Sequence, residues 1–219
     1  MIVPTRLTRQ VKCCQVSTDS EKYQRIAPLY DLLELPFEYG RYRRLRRLVF
    51  DGLTGRILDA GVGTGRNTEF YPQGAEVVGI DISPAMLARA ARRIRKISAT
   101  IELREMDVTR LDFPAGSFDI AVATFLFCVL PDDLQLPALR ELRRVVRGGG
   151  TIRLLDYVRP QRPLRRAIAG LWEPWIARAY GASFDRRTEK YVREAGLELV
   201  AAEFVVDDLV KLLTAQVPE

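Results

Sequence analysis

The sequence predicts an α/β fold: one mostly parallel sheet with helices on both faces. Three observations predict it. Apolar runs of strand length alternate with helical patterns from residue 56 onward, the run at 118–125 is wholly apolar beyond Asp119, and only Asp207–Asp208 separates the last two runs. Alternation implies parallel strands joined by crossover helices. A strand buried on both sides reads as a continuous apolar run. Two strands joined by so short a connection must pair antiparallel.

Residues 1–20 show no sustained periodicity and are expected to form a flexible tail. Residues 21–50 read as a helical cap, broken near Pro28 and Pro36, on a single domain spanning 21–219. Arg56–Ala60 is the first strand, and the glycine loop Gly61–Gly65 opens a helix. Ala75–Ile80 is the second strand, followed by Ser83–Pro84, which is N-cap and first-turn chemistry. The helix after it buries Met86, Leu87, Ala90 and Ile94 and turns Arg89, Arg92, Arg93 and Arg95 outward. Thr100–Leu103 and Phe118–Phe125 are the third and fourth strands. The helix Leu134–Arg147 is expected to stop at Gly148–Gly150, before the fifth strand Thr151–Tyr157. A helical insertion at 161–180 precedes the closing strands Glu198–Val206 and Leu209–Ala215.

Composition narrows the function. With 219 residues and 47% hydrophobic content, the chain suits one full α/β core. No apolar run approaches the ~20 residues of a membrane span, and no secretory leader pattern stands at the start. Cys13, Cys14 and Cys128 make neither a disulfide framework nor a metal motif, which points to the reducing cytoplasm. The net charge of +6, with five lysines among 34 basic residues, favours anionic partners. Histidine is absent, which removes the commonest general base and metal ligand, and no metal is expected.

The informative segment is Ile57–Asn67, a strand entering the turn Gly61-Val62-Gly63-Thr64-Gly65. Ligands of open α/β sheets sit at the carboxyl ends of the strands, and glycines let the main chain approach them closely. The spacing is G-x-G-x-G, not the G-x-G-x-x-G that receives a pyrophosphate. A carboxylate before the loop, Asp59, can take an amino group. Asp81 ends the second strand, 22 residues on, where a carboxylate accepts ribose hydroxyls. Asp107 follows the third strand, placed to take an adenine amino group beside the backbone of Val108.

These segments resemble the class I S-adenosylmethionine-dependent methyltransferases over roughly residues 21–215, through the glycine loop, Val78–Asp81 with Ser83–Leu87, Met106–Val108, Ser117–Asp119 and Leu142–Arg147 with its glycines. The resemblance implies a Rossmann-like seven-stranded mixed sheet, order 3-2-1-4-5-7-6, with the last strand antiparallel. It implies S-adenosylmethionine as cofactor and S-adenosylhomocysteine as product. Contacts are expected from Asp59, Ala60, Gly61, Gly63, Gly65, Asn67, Asp81, Ile82, Met86, Asp107, Val108 and Thr124. One departure is Gly148, where the family usually has proline.

Methyl transfer from a sulfonium needs no enzyme nucleophile; positioning supplies much of the rate. An ammonium acceptor must still lose a proton, for which Asp156 or a tyrosine is the candidate. The segment Tyr23–Asp31 is similar to the entry segments of bacterial phosphatidylethanolamine N-methyltransferases and quinone-biosynthesis C-methyltransferases. That likeness implies that Tyr23 and Tyr30 cover the cofactor, and with Thr124 and Asp156 they form the candidate catalytic set. The apolar run Phe125–Pro131 would suit a greasy acceptor. Arg41, Arg43, Arg44, Arg46 and Arg47 between apolar residues read as a basic amphipathic helix for an anionic membrane, with Arg162, Arg165, Arg166, Trp172 and Trp175 adding to it. The favoured expectation is a cytoplasmic enzyme, peripheral on the inner membrane face, that methylates a phosphatidylethanolamine amine. Alternatives are a quinol, a small soluble thiol or phenol, and a non-catalytic S-adenosylmethionine-binding protein. The Asn/Asp-Pro-Pro-Tyr/Phe motif of base-directed amino methylases is absent after the fourth strand, which disfavours nucleic acid.

Overall fold

Seven strands form one sheet in the order β3-β2-β1-β4-β5-β7-β6, seen in a computed structural model that describes residues 42–94, 100–180 and 183–219. In chain order the elements are α1 (Arg43–Phe50), β1 (Arg56–Ala60), a 3₁₀ turn (Arg66–Phe70), β2 (Glu76–Asp81), α2 (Pro84–Ile94), β3 (Ile101–Glu105) and β4 (Phe118–Thr124). They continue with α3 (Asp132–Val145), β5 (Val146–Tyr157), α4 (Pro163–Tyr180), α5 (Thr188–Glu194), β6 (Glu198–Val206) and β7 (Val210–Gln216). β1 to β5 pair in parallel, and β7 runs antiparallel to both β5 and β6. The order is the one the family resemblance implies, and the turn after β6 reverses the chain as the two aspartates require.

Alternation along the strands divides the core in two. Leu58, Val78, Ile80, Ala121 and Leu154 face α3 and α5, with Leu139, Leu142 and Val192 packed on them. Ile57, Val77, Ile120, Val122 and Leu155 face the other way, against Leu45, Val49 and Phe50 of α1. α1 is also tied down at its end, where Arg153 of β5 donates to the carbonyls of Val49 and Asp51, each at 2.8 Å. These are orphan carbonyls of a helix terminus, and a cation satisfies them well.

The structure corrects several boundaries. The glycine loop leads into a five-residue 3₁₀ turn and not a longer helix. Pro72 explains the stop, because the residue before a proline is driven out of the helical region, and Tyr71 is extended with φ −62° and ψ 134°. α3 ends at Val145, and Gly148–Gly150 lie inside β5 and do not precede it. The register with β4 jumps there, and the glycines pair with the chain end through Gly149 N to Val217 O and Val217 N to Gly150 O, each 2.9 Å. A Cβ on Gly150 would sit 2.7 Å from the Asp119 carbonyl, so this bulge needs glycine. α5 is an additional helix, closed by Gly196 at φ +75°. The fourth strand stops at Thr124, because Phe125 has φ +55°.

Candidate active site

The carboxyl ends of β1, β2 and β4 carry most of the residues expected around the cofactor. Gly61, Gly63 and Gly65 have φ of +72°, +56° and +79°, a region closed to most side chains. Gly65 also needs its hydrogen for space, since a Cβ would stand 2.9 Å from the Ala90 backbone of α2. At Gly63 an added Cβ meets only a carbonyl at 3.9 Å, so the loop backbone there faces open space. A main chain shaped this way fits an approaching ligand.

Asp81 pins the loop. One carboxylate oxygen accepts Gly63 N at 2.9 Å and the other accepts Ser83 N at 2.9 Å. Burial pushes its pKa above the usual carboxylate value even against these amides. Hydroxyl donors such as a ribose diol would complete its shell. Ser83 does cap α2, its Oγ accepting Met86 N at 3.4 Å. Ala60, Ile82 and Met86 flank the same loop, with Ala60 and Met86 buried. Asp107 lies past β3, where its Oδ1 accepts both Thr109 N and Thr109 Oγ1 at 2.8 Å. Val108 beside it is buried in the core.

Beneath the loop lies a buried polar network. Asp59 is fully buried; its two oxygens accept Asn67 Nδ2 at 3.1 and 2.9 Å, and Tyr71 Oη donates to one of them at 2.5 Å. Desolvation raises the Asp59 pKa to about 6, opposed by those donors and by the nearby Arg46 cation. Burial, with Asp59 as neighbour, holds the Tyr71 hydroxyl well above its ordinary pKa. Thr124 Oγ1, at the end of β4, accepts Asn67 Nδ2 at 2.9 Å and Arg46 Nη1 at 3.3 Å. Arg46 also donates to Asn67 Oδ1 at 2.8 Å.

Arg46 corrects the picture of α1 as a uniformly basic outer face. It is 8% exposed and shares the inward stripe with Leu45, Val49 and Phe50. Arg43 is spoken for by Glu69 at 2.7 Å. Arg43, Arg44, Arg47 and Leu48 are the exposed members of this helix. The apolar run after β4 is likewise core in its middle, with Phe127 and Cys128 buried, so they cannot form a greasy wall for an acceptor. Tyr23, Tyr30 and Arg41, and the side chains of Trp172 and Trp175, lie outside the described residues.

A second group gathers at the ends of β5 and β7. Asp156 is 6% exposed and accepts main-chain N–H groups from Phe127 at 3.2 Å and Cys128 at 3.0 Å. Desolvation raises its pKa to about 7, against those two amides and a hydrogen bond with the Cys128 side chain. The Cys128 thiol is pushed well above its ordinary value by burial and by Asp156. Asp156 lines a cavity of about 380 Å³ together with Phe184 and charged residues of the segment leading into α5. Gln135, fully buried on α3, holds the surrounding loops: Nε2 donates to Phe127 O at 3.0 Å, and Oε1 accepts Thr188 Oγ1 at 3.0 Å. Above the tips of β4 and β5, Phe125 and Tyr157 lie 5.0 Å apart, with Tyr42 edge-on to Phe125 at 5.4 Å and Phe184 edge-on to Tyr157 at 5.8 Å. Tyr42 and Tyr157 also join through their hydroxyls. Sequence reasoning missed Arg46, Tyr71 and Gln135; for Arg46 the usable signal was its place on the apolar stripe.

A sheet of this order, with a glycine turn after β1 and acids after β2 and β3, defines a cofactor-binding transferase class. The chain belongs to the S-adenosylmethionine-dependent methyltransferases. Residues 57–150 match the family described as "Methyltransferase domain". A phosphatidylethanolamine N-methyltransferase of Cereibacter sphaeroides is 36% identical over 152 residues, 66% of this chain and 71% of that protein. A demethylmenaquinone methyltransferase of Thermus thermophilus is 37% identical over 145 residues, 63% of this chain and 65% of that protein. The matched region thus spans 71% and 65% of those two relatives. The structure of geranyl diphosphate C-methyltransferase from Streptomyces coelicolor A3(2) shares the fold, with TM-score 0.67 at 15% identity over 80% of this chain and 79% of that one.

Proposed function

We infer that this methyltransferase acts on the amine of a phosphatidylethanolamine-type headgroup. The observation that carries the reading is Asp156: a buried carboxyl with pKa about 7, lining a cavity one strand over from Thr124. An ammonium cannot attack a methyl group until it has lost a proton, and a base with a pKa near the working pH removes it best. A thiol or a quinol must lose a proton as well, so the choice of an amine leans on Asp156 together with the exposed apolar and basic face of α4.

S-adenosylmethionine, when bound, supplies the methyl group on a sulfonium. The protein's own residues do the rest. Asp81 takes the ribose hydroxyls, and Asp107 with the Val108 amide takes the adenine edge. The Gly61–Gly65 backbone receives the methionine end, held in shape from beneath by the buried Asp59–Asn67 pair and Thr124. Asp156 holds the proton released by the amine, while the aromatic faces of Phe125, Tyr157 and Phe184 screen the cation from water. Tyr23 and Tyr30 are proposed to close over the cofactor.

Two exposed features support a membrane-surface setting. Leu164, Ile168 and Leu171 of α4 are 74%, 51% and 79% exposed, and Arg162 and Arg166 stand exposed beside them. Apolar residues at i, i+4 and i+7 bordered by arginines fit the interface of an anionic bilayer. Arg165 is occupied instead, bridging to Asp207 at 3.1 Å and Asp208 at 2.8 Å, which fastens the start of α4 to the β6–β7 turn. No helix among the described residues is long and apolar enough to cross a membrane.

The test is S-adenosylhomocysteine release by the full chain with three acceptors: phosphatidylethanolamine vesicles, a demethylated quinol, and a small thiol. Turnover with the vesicles is expected. Turnover with the quinol or thiol and none with the vesicles overturns the headgroup reading and leaves the methyltransferase itself intact.

A further inference from the structure

The cavity beside Asp156 carries more positive charge than its own acids can balance. Its lining includes Arg159, Arg186, Arg187, Lys190 and Lys211 against Asp156, Asp185 and Glu189. Two cations are matched inside the cavity: Arg159 with Asp185 at 3.1 Å, and Lys211 with Glu189. The other three have no acid within the lining. Arg186 pairs with Asp132 at 3.7 Å and donates to the Cys128 carbonyl at 3.5 Å, and Lys190 pairs with Glu194 at 3.4 Å, both acids lying outside the cavity. Arg187 makes no ion pair among the described residues. The excess over the acids of the lining falls on Arg186, Arg187 and Lys190 of one short segment.

Clustered cations left over in a concave site call for an anion. Arginine and lysine together on one rim suit a phosphate, which offers several oxygens to forked and single donors. At about 380 Å³ the cavity lies in the lower range of small-ligand sites. Its floor is formed by Asp156, across from Lys211 in the β5–β7 ladder. A phosphate ester held by the Arg186–Lys190 segment would therefore lie against the same wall as the proposed proton acceptor.

We propose that this cavity is a phosphate subsite that holds the acceptor's phosphoryl group through Arg186, Arg187 and Lys190 and so presents the attached amine to Asp156. The assignment rests on the reading of Asp156 as the acceptor-side base. It deepens that reading by making the phosphate, and not the acyl chains, the recognised part of the headgroup. Arg187 and Lys190 are exposed, so their replacement leaves the core untouched.

The experiment titrates the full chain, saturated with S-adenosylhomocysteine, with inorganic phosphate, O-phosphoethanolamine and ethanolamine, read by calorimetry. Phosphate and phosphoethanolamine bind and ethanolamine does not. In the double variant Arg187→Ala/Lys190→Ala, affinity for both phosphate probes drops by about tenfold or more, as expected for losing two charge-assisted contacts. In the methyl-transfer assay the same variant raises the KM for phosphatidylethanolamine vesicles, with the loss falling on KM and not on kcat. Equal binding of ethanolamine, or phosphate binding unchanged in the double variant, overturns the subsite. Phosphate binding that depends on these residues without any turnover of phosphatidylethanolamine keeps the subsite and rejects the headgroup. Turnover of free phosphoethanolamine as fast as of vesicles identifies a soluble phosphate ester as the source.

Discussion

Two central strands of the sheet, on either side of β4, each bury a carboxyl near their carboxyl ends, and they treat it differently. At β1, Asp59 is surrounded by donors: both Asn67 contacts, the Tyr71 hydroxyl, and the Arg46 cation beyond. At β5, Asp156 has two main-chain amides, the Cys128 side chain and a cavity. Burial raises both pKa values, to about 6 and about 7. The difference is in what each can still do. A carboxylate enclosed by fixed donors positions its neighbours, whereas one that opens on a cavity and titrates near neutrality can exchange a proton with whatever enters. Desolvation alone therefore does not mark a catalytic acid; the spare coordination does.

The largest effect that would sharpen this contrast is Asp156→Asn. It is expected to lower kcat for an amine acceptor by roughly 10²–10⁴-fold, with cofactor affinity unchanged in calorimetry. Wild-type kcat should fall as pH drops below about 7, where the base is protonated, and the variant should lose that limb. Stability moves in the opposite sense. Because the folded-state pKa lies above the ordinary 3.8, the stabilisation from protonated Asp156 is complete below the normal carboxylate range and is lost as pH rises through about 7. The melting temperature of Asp156→Asn should therefore gain on wild type across that window. A variant with unchanged kcat breaks the comparison.

Asp81→Ala is next. Removing the carboxylate proposed to hold the ribose hydroxyls is expected to weaken S-adenosylhomocysteine binding about 100-fold or more by calorimetry, with a native circular dichroism spectrum. Arg46→Met tests the enclosed end: losing the cation beside Asp59 should cost about 3 kcal/mol in denaturant unfolding. Gly65→Ala should cost about 1–3 kcal/mol, since its Cβ would meet Ala90 and its φ is +79°. Arg43→Ala, three residues from Arg46 but on the exposed side, should cost no more than ~0.5 kcal/mol. A cost for Arg43 equal to that for Arg46 would mean burial is not what distinguishes them.

The alternation of strands and helices, the antiparallel closing pair and the glycine loop were legible because each rests on a local pattern, whereas the strand order came only with the family resemblance. Period, a two-aspartate turn and glycines at left-handed positions can each be read within a dozen residues. The acid at or just past the end of each of the first three strands is equally local. Arg46 was not legible as a buried group, because a cation's burial depends on partners such as Asn67 and Thr124 that only the fold brings near. α5 escaped because seven polar-rich residues with only Thr188 and Val192 buried carry no period. The Asp156 cavity escaped because its walls come from β5, the segment before α5 and β7, and no spacing links them. The extension of β5 through Gly148–Gly150 was hidden by the ordinary meaning of a glycine run, which here relieves crowding within a strand.

α1 is fastened at both ends, by Arg46 reaching inward to Asn67 and Thr124 and by Arg153 reaching outward to its last carbonyls. Lifting that helix would strand two guanidinium groups at once. The helix thus behaves as a doorpost and not as a door, a fixed edge against which the rest of the crevice is framed.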